Sequence, residues 1–252
     1  MRVLTRLWLL APLAACSVPD KFLIDGGPAG DSTPSADADP QFACLGQPLP
    51  TTAPATLTVR GETRGLGEGA LPVVALNAYV VGGANPFIVT QSDANAAFSF
   101  DVSTSGAPVD AYVVATYSAH LATHYYPAAP LAASYTDTLV LMTPTKLAQL
   151  ASAAGTNFNT GMAQLYITVV DCTGAPIPHA TVTTAPPGLV APFRNSLPSA
   201  TATDTDASGL VAVFNVPPTQ TITATATTPG GTFRSTRIVG GGASLIQTKI
   251  QP

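Results

Sequence analysis

The alternation of apolar and polar residues along the chain is typical of short β-strands. Runs rich in Val, Thr, Ile and aromatic residues are separated by clusters of Gly, Pro, Asn and Asp. The segments predicted as strands are 56–60, 74–81, 87–91, 98–102, 111–117 and 138–142, followed by 165–171, 180–184, 210–215, 221–227, 233–239 and 245–250. Regularly spaced short strands with turn signals between them predict β-sandwiches.

Residues 143–155 are the exception, because their apolar positions follow the period of a helix. Thr143 suits the N-cap, Pro144 the first turn, and Gly155 the stop after the last turn. The apolar side chains that fall on one face of this helix are Leu147, Leu150, Ala151 and Ala154. We therefore expect one short helix between the two groups of strands, packed against a sandwich.

These patterns predict an all-β protein with two β-sandwich domains in tandem. The first domain is expected at 53–142, a linker helix and loop at 143–162, and the second domain at 163–252. Residues 16–52 are rich in Asp, Gly, Pro and Ser, and contain little that could be buried, so we expect a disordered tether there.

Composition excludes some classes of function. Charged residues make up only 10% of the 252 residues, and the formal net charge is −4. Because a nucleic-acid-binding protein needs a basic surface to neutralise phosphates, we expect no nucleic-acid partner. No motif requires a cofactor, and we expect none.

The N-terminus has the features of a secretory signal. Basic residues in 1–6 precede an apolar run at 7–12, which is too short to span a bilayer as a helix. The sequence Leu-Ala-Ala-Cys that ends at Cys16 resembles the lipobox of bacterial lipoproteins. The resemblance implies that residues 1–15 are removed and that Cys16 is acylated, which anchors the protein to a membrane by lipid. The alternative is an ordinary signal peptide that leaves Cys16 as a plain thiol.

The residue after the lipidated cysteine bears on the choice of membrane. Ser17 lacks the Asp that often marks inner-membrane retention in Gram-negative lipoproteins. By that resemblance we expect the protein in the cell envelope, lipid-anchored in the outer membrane of a Gram-negative bacterium.

The chain contains three cysteines. If Cys16 carries lipid, Cys44 and Cys172 remain as a pair in an oxidising compartment, and we expect a disulfide between them. The alternative is two buried free thiols.

Three segments of the second domain occur in the order of a known family. Residues 169–182 contain Asp-Cys-Thr-Gly-Ala-Pro-Ile-Pro, residues 205–211 read Thr-Asp-Ala-Ser-Gly-Leu-Val, and residues 215–224 begin Asn-Val-Pro-Pro. Together they resemble the carboxypeptidase regulatory-like, or transthyretin-like, domain. The resemblance implies a Greek-key β-sandwich, and in this family such domains commonly act as non-catalytic modules.

The first domain looks like a divergent repeat of the second. Residues 92–98 stand where residues 205–211 stand, with Ala96 in the place of Gly209. We expect Asn95 to take the left-handed conformation of this turn instead, because Asn adopts it more readily than most residues.

Two groups of residues resemble metal-binding motifs only in part. His120 and His124 have the spacing of a zinc-protease helix but lack its Glu. Asp204, Asp206 and Ser208 copy the start of an EF-hand calcium loop, but the loop's final position lacks the bidentate Glu. The family's turn accounts for the same residues, so we expect no metal, with calcium as a remote alternative.

The sequence favours a non-catalytic envelope lipoprotein that acts as a spacer, an adhesion module or an accessory of a larger complex. The expected partners are the membrane, through the lipid, and an envelope protein or a glycan. The alternative is a lectin-like surface protein that binds glycan or peptide through loops, with Tyr117, Tyr125 and Tyr126 as aromatic contacts. A metal-dependent hydrolase that uses His120 and His124 is the remote alternative.

Overall fold

The computed structural model describes residues 40–217, 221–233, 236–239 and 244–252. The expected signal segment, Cys16 and most of the expected tether lie outside the described residues. The strands before the helix are β1 (Thr56–Gly65), β2 (Gly69–Ala70), β3 (Ala75–Val80), β4 (Ile88–Gln91), β5 (Ala97–Ser103), β6 (Ala111–Thr116), β7 (Thr123–Tyr126) and β8 (Tyr135–Leu141). Helix α1 (Pro144–Ala153) is followed by β9 (Ala163–Val169), β10 (Thr181–Ala185), β11 (Leu189–Arg194), β12 (Leu197–Pro198), β13 (Leu210–Val216), β14 (Thr221–Thr228), β15 (Gly231–Thr232), β16 (Thr236–Val239) and β17 (Leu245–Ile250).

The first half of the chain forms a β-sandwich, as predicted. In one layer β1 pairs with β5 and β2 in antiparallel fashion and with β8 in parallel fashion. The other layer contains β4, β3, β6 and β7. Alternate residues of these strands, such as Leu57 and Val59 on β1 and Leu76 and Ala78 on β3, fill the core between the layers, which is the alternation that a half-buried strand requires.

The second half repeats this architecture. Strands β12, β11, β13, β9 and β17 form one layer, and β10, β14, β15 and β16 form the other. As β8 pairs in parallel with β1 in the first half, β17 pairs in parallel with β9 in the second. The core between the layers includes Leu165, Ile167 and Val169 of β9 and Ile222 and Ala224 of β14.

The two sandwiches share one sheet. The last strand, β17, pairs in parallel with β7 on one side and with β9 on the other, so that a nine-stranded sheet runs from β12 to β4. Tyr125 of β7 belongs to the first core and the adjacent Tyr126 to the second. Since neighbouring residues of a strand point to opposite faces, the two smaller sheets cover opposite faces of the shared sheet. The sequence did not indicate this connection.

Helix α1 has the cap and the buried face that the sequence predicted. The Thr143 hydroxyl accepts the Lys146 N–H at 3.2 Å, and Pro144 occupies the first turn. The buried helix residues are Leu147, Leu150 and Ala151. They pack against Tyr166, Phe193 and Phe214 of the shared sheet. This is the face opposite to the one that β10 and β14 cover.

The segment before β1 is more ordered than the tether expected at 16–52. Residues 40–42 form a single 3₁₀ turn. The Phe42 ring lies 6.0 Å from that of Phe233, and Leu45 also packs against the second core. These apolar contacts and the disulfide described below offset the ordering entropy, so the expected tether boundary is wrong at this end.

The internal repeat extends to individual hydrogen bonds. The buried Ser92 hydroxyl accepts the Val74 N–H at 2.9 Å in the first half, and the Thr205 hydroxyl accepts the Ala180 N–H at 2.9 Å in the second. These contacts fix the start of β3 and β10 against the turn that precedes β5 and β13. The expected correspondence between residues 92–98 and 205–211 is therefore present in the structure.

The left-handed residue of the first repeat was predicted wrongly. Ala96, and not Asn95, has a positive φ of 66°, close to the 64° of Gly209. The Asp93 carboxylate accepts the N–H groups of Asn95 and Ala97. Those two bonds hold the turn in place, and the strain falls on the residue that matches the glycine.

Candidate functional site

A disulfide joins Cys44 to Cys172, the pair expected from the cysteine count, with a Cα–Cα distance of 5.6 Å. It ties the segment before the first sandwich to the turn after β9. The two cysteines are 128 residues apart in the sequence. The covalent loop that the bridge closes therefore contains all strands from β1 to β8.

A network of buried and partly buried polar side chains links the two sandwiches. The Lys249 ammonium on β17 lies 2.6 Å from the Asp137 carboxylate on β8. The hydroxyls of Tyr125 and Tyr135 both donate to the same carboxylate. Burial raises the pKa of Tyr125 well above its usual value, and the neighbouring Tyr135 and Asp137 raise it further. Burial also raises the pKa of Tyr135, so both hydroxyls stay protonated as donors.

The expectation that Tyr125 and Tyr126 bind a ligand from an exposed loop is wrong. Both residues are only 3% exposed, because their segment forms strand β7 in the middle of the shared sheet. Tyr125 is used by the network with Asp137, and Tyr126 by the second core. The sequence of residues 117–126 contains no strong strand pattern and therefore favours a loop.

Tyr126 instead belongs to a row of stacked aromatic rings on the shared sheet. The Tyr112 ring stacks on Tyr126 at 4.9 Å and on Tyr79 at 5.2 Å between ring centroids. Tyr79 and Tyr112 are partly exposed. Because both faces of the Tyr112 ring are covered, that ring offers its edge and hydroxyl to solvent, and not a flat face on which a sugar would stack.

The two histidines with zinc-protease spacing have separate surroundings, and Tyr117 lies beside one of them. Tyr117 packs at 5.3 Å from His120. The His120 ring bonds the Glu68 carboxylate at 3.0 Å and the Ser118 carbonyl at 2.9 Å. His124 lies on β7 and stacks on Tyr112, and burial lowers its pKa. Within the described ranges, no group of three or more His, Cys, Asp or Glu side chains could hold a metal ion.

The residues of the calcium-like loop are engaged in other contacts. The Asp204 carboxylate bonds the His179 ring at 3.0 Å and forms an ion pair with Arg194. These two partners lower the pKa of Asp204. Asp206 accepts the N–H of Ser208 at 2.9 Å together with its hydroxyl. The carboxylates therefore stabilise the turn.

A cleft of about 500 Å³ lies between helix α1 and the second sandwich. We call it the helix cleft. Lys146 and Leu150 of α1 form one wall, and Tyr166 and Phe193 of the shared sheet lie at its base. Asp206 and Ser208 of the turn before β13 also line it. No sequence pattern identifies Lys146, Tyr166 and Phe193 as parts of one site, because only the packing of α1 on the sheet brings them together.

Lys249 and Asp137 were also missed at the sequence level. A signal was available for Lys249, since the run Leu-Ile-Gln-Thr-Lys-Ile places a lysine among apolar strand residues. A charged residue in such a strand is seldom buried without a partner. No comparable pattern in the sequence identifies Asp137 as that partner.

No helix among the described residues is long and apolar enough to cross a membrane. No family model and no curated protein matches the chain. Shaft pilin SpaA from Lactobacillus rhamnosus GG is similar over 78% of this chain and 98% of the pilin, with 11% identity and a TM-score of 0.29. The Bacillus anthracis TIE protein is similar over 78% of this chain, with 11% identity and a TM-score of 0.28.

The match covers only 34% of the TIE protein, so this chain spans about a third of that protein's length. The Streptococcal ancillary pilin is similar over 78% of this chain and 62% of its own length, with 10% identity and a TM-score of 0.26. At these TM-scores the likeness supports no inference about function, which has to come from the contacts within this chain.

Proposed function

We propose that the chain is a non-catalytic module of the cell envelope, with a structural or binding role as a spacer, an adhesion module or an accessory of a larger complex. The observation that carries this proposal is the shared nine-stranded sheet. Two sandwiches joined only by a linker would move independently, whereas here β17 is hydrogen-bonded to a strand of each half. Such a body holds its two ends at a fixed distance.

Side chains reinforce the same junction. The Lys249–Asp137 ion pair joins β17 to β8, and the Asp137 carboxylate also accepts hydrogen bonds from the hydroxyls of Tyr125 and Tyr135. The Lys249 and Asp137 side chains are 28% and 12% exposed, so solvent screens this pair and it contributes less than a fully buried pair would. Relative movement of the halves would have to break these contacts together with the pairing of β17, which suits a spacer or adhesion module.

The envelope location rests on the sequence of the N-terminus. Acylation of Cys16 would anchor the body, and the absence of Asp after it favours the outer membrane of a Gram-negative bacterium. The Cys44–Cys172 bridge supports an oxidising compartment, because disulfides are rare in the cytosol. The resemblance of residues 169–224 to carboxypeptidase regulatory-like domains also supports a non-catalytic role.

Rigidity can be measured between the two ends of the shared sheet. Val89 on β4 and Leu197 on β12 are 75% and 51% exposed, and they accept labels without disturbing the core. Non-natural amino acids that carry a fluorophore pair at these sites should give one narrow distance distribution by single-molecule energy transfer. A broad distribution, or one with several peaks, contradicts the spacer proposal.

Location is tested separately with an alkyne-labelled fatty acid in cells that express the full chain. Label should enter the wild-type protein and be absent from Cys16→Ser, and only the wild type should sediment with outer membranes. Equal labelling of both proteins, or none of the wild type, contradicts the anchor.

The second candidate function is the binding of glycan or peptide, as the sequence analysis allowed. Tyr125 and Tyr126, two of the three tyrosines that the sequence suggests for it, are buried, but the helix cleft offers a concave site with both aromatic and polar groups. This combination is typical of small-molecule sites.

A further inference from the structure

We propose that the helix cleft binds a neutral saccharide, with the hydroxyl of Tyr166 as the hydrogen-bonding group at its base. This inference deepens the binding role in the proposed function and rests on it. It depends on the chemistry of four groups: Tyr166, Phe193, Lys146 and Asp206.

Tyr166 is the first observation. Its side chain is only 7% exposed, and among the described residues its hydroxyl has no hydrogen-bond partner. No fully enclosed side-chain oxygen or nitrogen in the described part of the chain lacks a partner. The hydroxyl is therefore not enclosed, and we take the cleft that Tyr166 lines as its access to solvent. A tyrosine hydroxyl without a partner among the described residues can form a hydrogen bond with a ligand in such a cleft.

The base of the cleft is aromatic. The rings of Tyr166 and Phe193 meet edge to face, with centroids 5.8 Å apart and an interplanar angle of 87°. Leu150 of α1 and Leu210 of β13 extend this apolar surface. An apolar base with a single hydroxyl suits a ligand that has both C–H and O–H groups on its surface, as a pyranose ring has.

The charges that line the cleft favour a neutral ligand. Lys146 of α1 and Asp206 of the turn before β13 both line the cleft and carry opposite charges. The hydroxyl and N–H of Ser208 both bond the Asp206 carboxylate and lower its pKa, so it is ionised at neutral pH. An anion in the cleft would meet this carboxylate, and a cation would meet the ammonium of Lys146. A neutral polyol can accept from the ammonium and donate to the carboxylate.

The size of the cleft also fits. Its volume of about 500 Å³ lies within the range of about 300–1,000 Å³ that small-ligand sites occupy. We expect a mono- or disaccharide to fill it.

The test is isothermal titration of the full-length protein in detergent with glucose, galactose, N-acetylglucosamine and their disaccharides. We expect at least one to bind. Tyr166→Phe should then weaken binding about 2- to 12-fold, as the loss of one neutral hydrogen bond implies. Lys146→Met should weaken it as well. Tyr112→Phe is the matched control, because it removes a tyrosine hydroxyl outside the cleft, and its affinity should equal that of the wild type.

Folding does not confuse this comparison. Tyr166→Phe removes a hydroxyl that has no partner among the residues the structure describes, so its melting temperature should match that of the wild type. Absence of binding by every sugar, or binding that Tyr166→Phe and Lys146→Met leave unchanged, overturns the proposal. Tighter binding of acetate or phosphate than of any sugar also overturns it. None of these outcomes affects the labelling of Cys16 or the rigidity of the sheet, so the failures of the two proposals are distinguishable.

Discussion

The side-chain amide of Gln247 bonds to the backbone of Val140 as a neighbouring strand would. Gln247 Oε1 accepts the Val140 N–H at 2.8 Å, and its Nε2 donates to the Thr138 carbonyl at 2.9 Å. Val140 and Thr138 lie on β8, whose only strand partner is β1 within the described sheets. The Gln247 side chain of β17 therefore links the shared sheet to the smaller sheet of the first sandwich, which contains β1, β2, β5 and β8.

Removal of this amide should destabilise the protein. Gln247→Leu keeps a side chain of similar volume but leaves one N–H and one carbonyl of β8 without a partner. We expect a loss of about 1–3 kcal/mol in the free energy of unfolding, measured with urea. Gln149→Leu on the exposed face of α1 is the control and should change the stability by less than about 0.5 kcal/mol. Equal losses in the two variants would show that the amide is not the cause.

Reduction of the Cys44–Cys172 bridge should lower the stability by about 2–5 kcal/mol, since the bridge limits the freedom of the unfolded chain. Urea unfolding with and without reductant measures the effect. The double variant Cys44→Ser, Cys172→Ser should behave like the reduced wild type and should not respond to reductant. An unchanged midpoint for the reduced wild type contradicts this prediction.

The two left-handed turns should respond differently to substitution. A Cβ at Gly209 would lie 2.4 Å from the Val169 carbonyl oxygen, so Gly209→Ala should cost more than about 1 kcal/mol. Ala96→Gly removes strain of about 1–2 kcal/mol. It also loses a buried methyl group and increases the freedom of the unfolded chain. The net change should be within about 1 kcal/mol, and thermal melting of both variants tests the contrast. A larger loss for Ala96→Gly than for Gly209→Ala would contradict it.

Acidification should destabilise the protein through His124. Burial lowers the pKa of His124 in the folded state, so below about pH 6.5, the ordinary histidine value, the unfolded chain binds more protons than the folded one. Stability that is present above pH 6.5 is then lost as the pH falls through this range. Urea titrations at pH 7.5 and 5.5 should show a smaller loss for His124→Phe than for the wild type. Identical losses would exclude His124 as the source.

The sequence was most informative where neighbouring residues decide the structure. The helix, its Thr143 cap and its buried face were predicted correctly, because the cap and the apolar period lie within a dozen residues. The repeat of the 205–211 turn at 92–98 was also visible. Its left-handed residue was not, because Ala96 competes with Asn95 and the hydrogen bonds of Asp93 decide between them.

The candidate site was less accessible from the sequence. Tyr125 and Tyr126 were assigned to an exposed loop, since their segment is short and next to a proline. Their burial follows from the pairing of β7 with β17, more than a hundred residues away in the chain. The helix cleft likewise combines residues of α1, β9 and β11, which no local pattern relates.

The sequence by itself determined the all-β class, the two sandwiches and helix α1, because strand alternation, caps and turns are encoded by adjacent residues, and the count of cysteines indicated the Cys44–Cys172 pair. Only the tertiary structure decided that β17 joins the sandwiches, that Lys249 forms an ion pair with Asp137, and that Tyr166 lines a cleft. The physical reason is that strand pairing and side-chain packing depend on which distant segments bury each other's apolar faces.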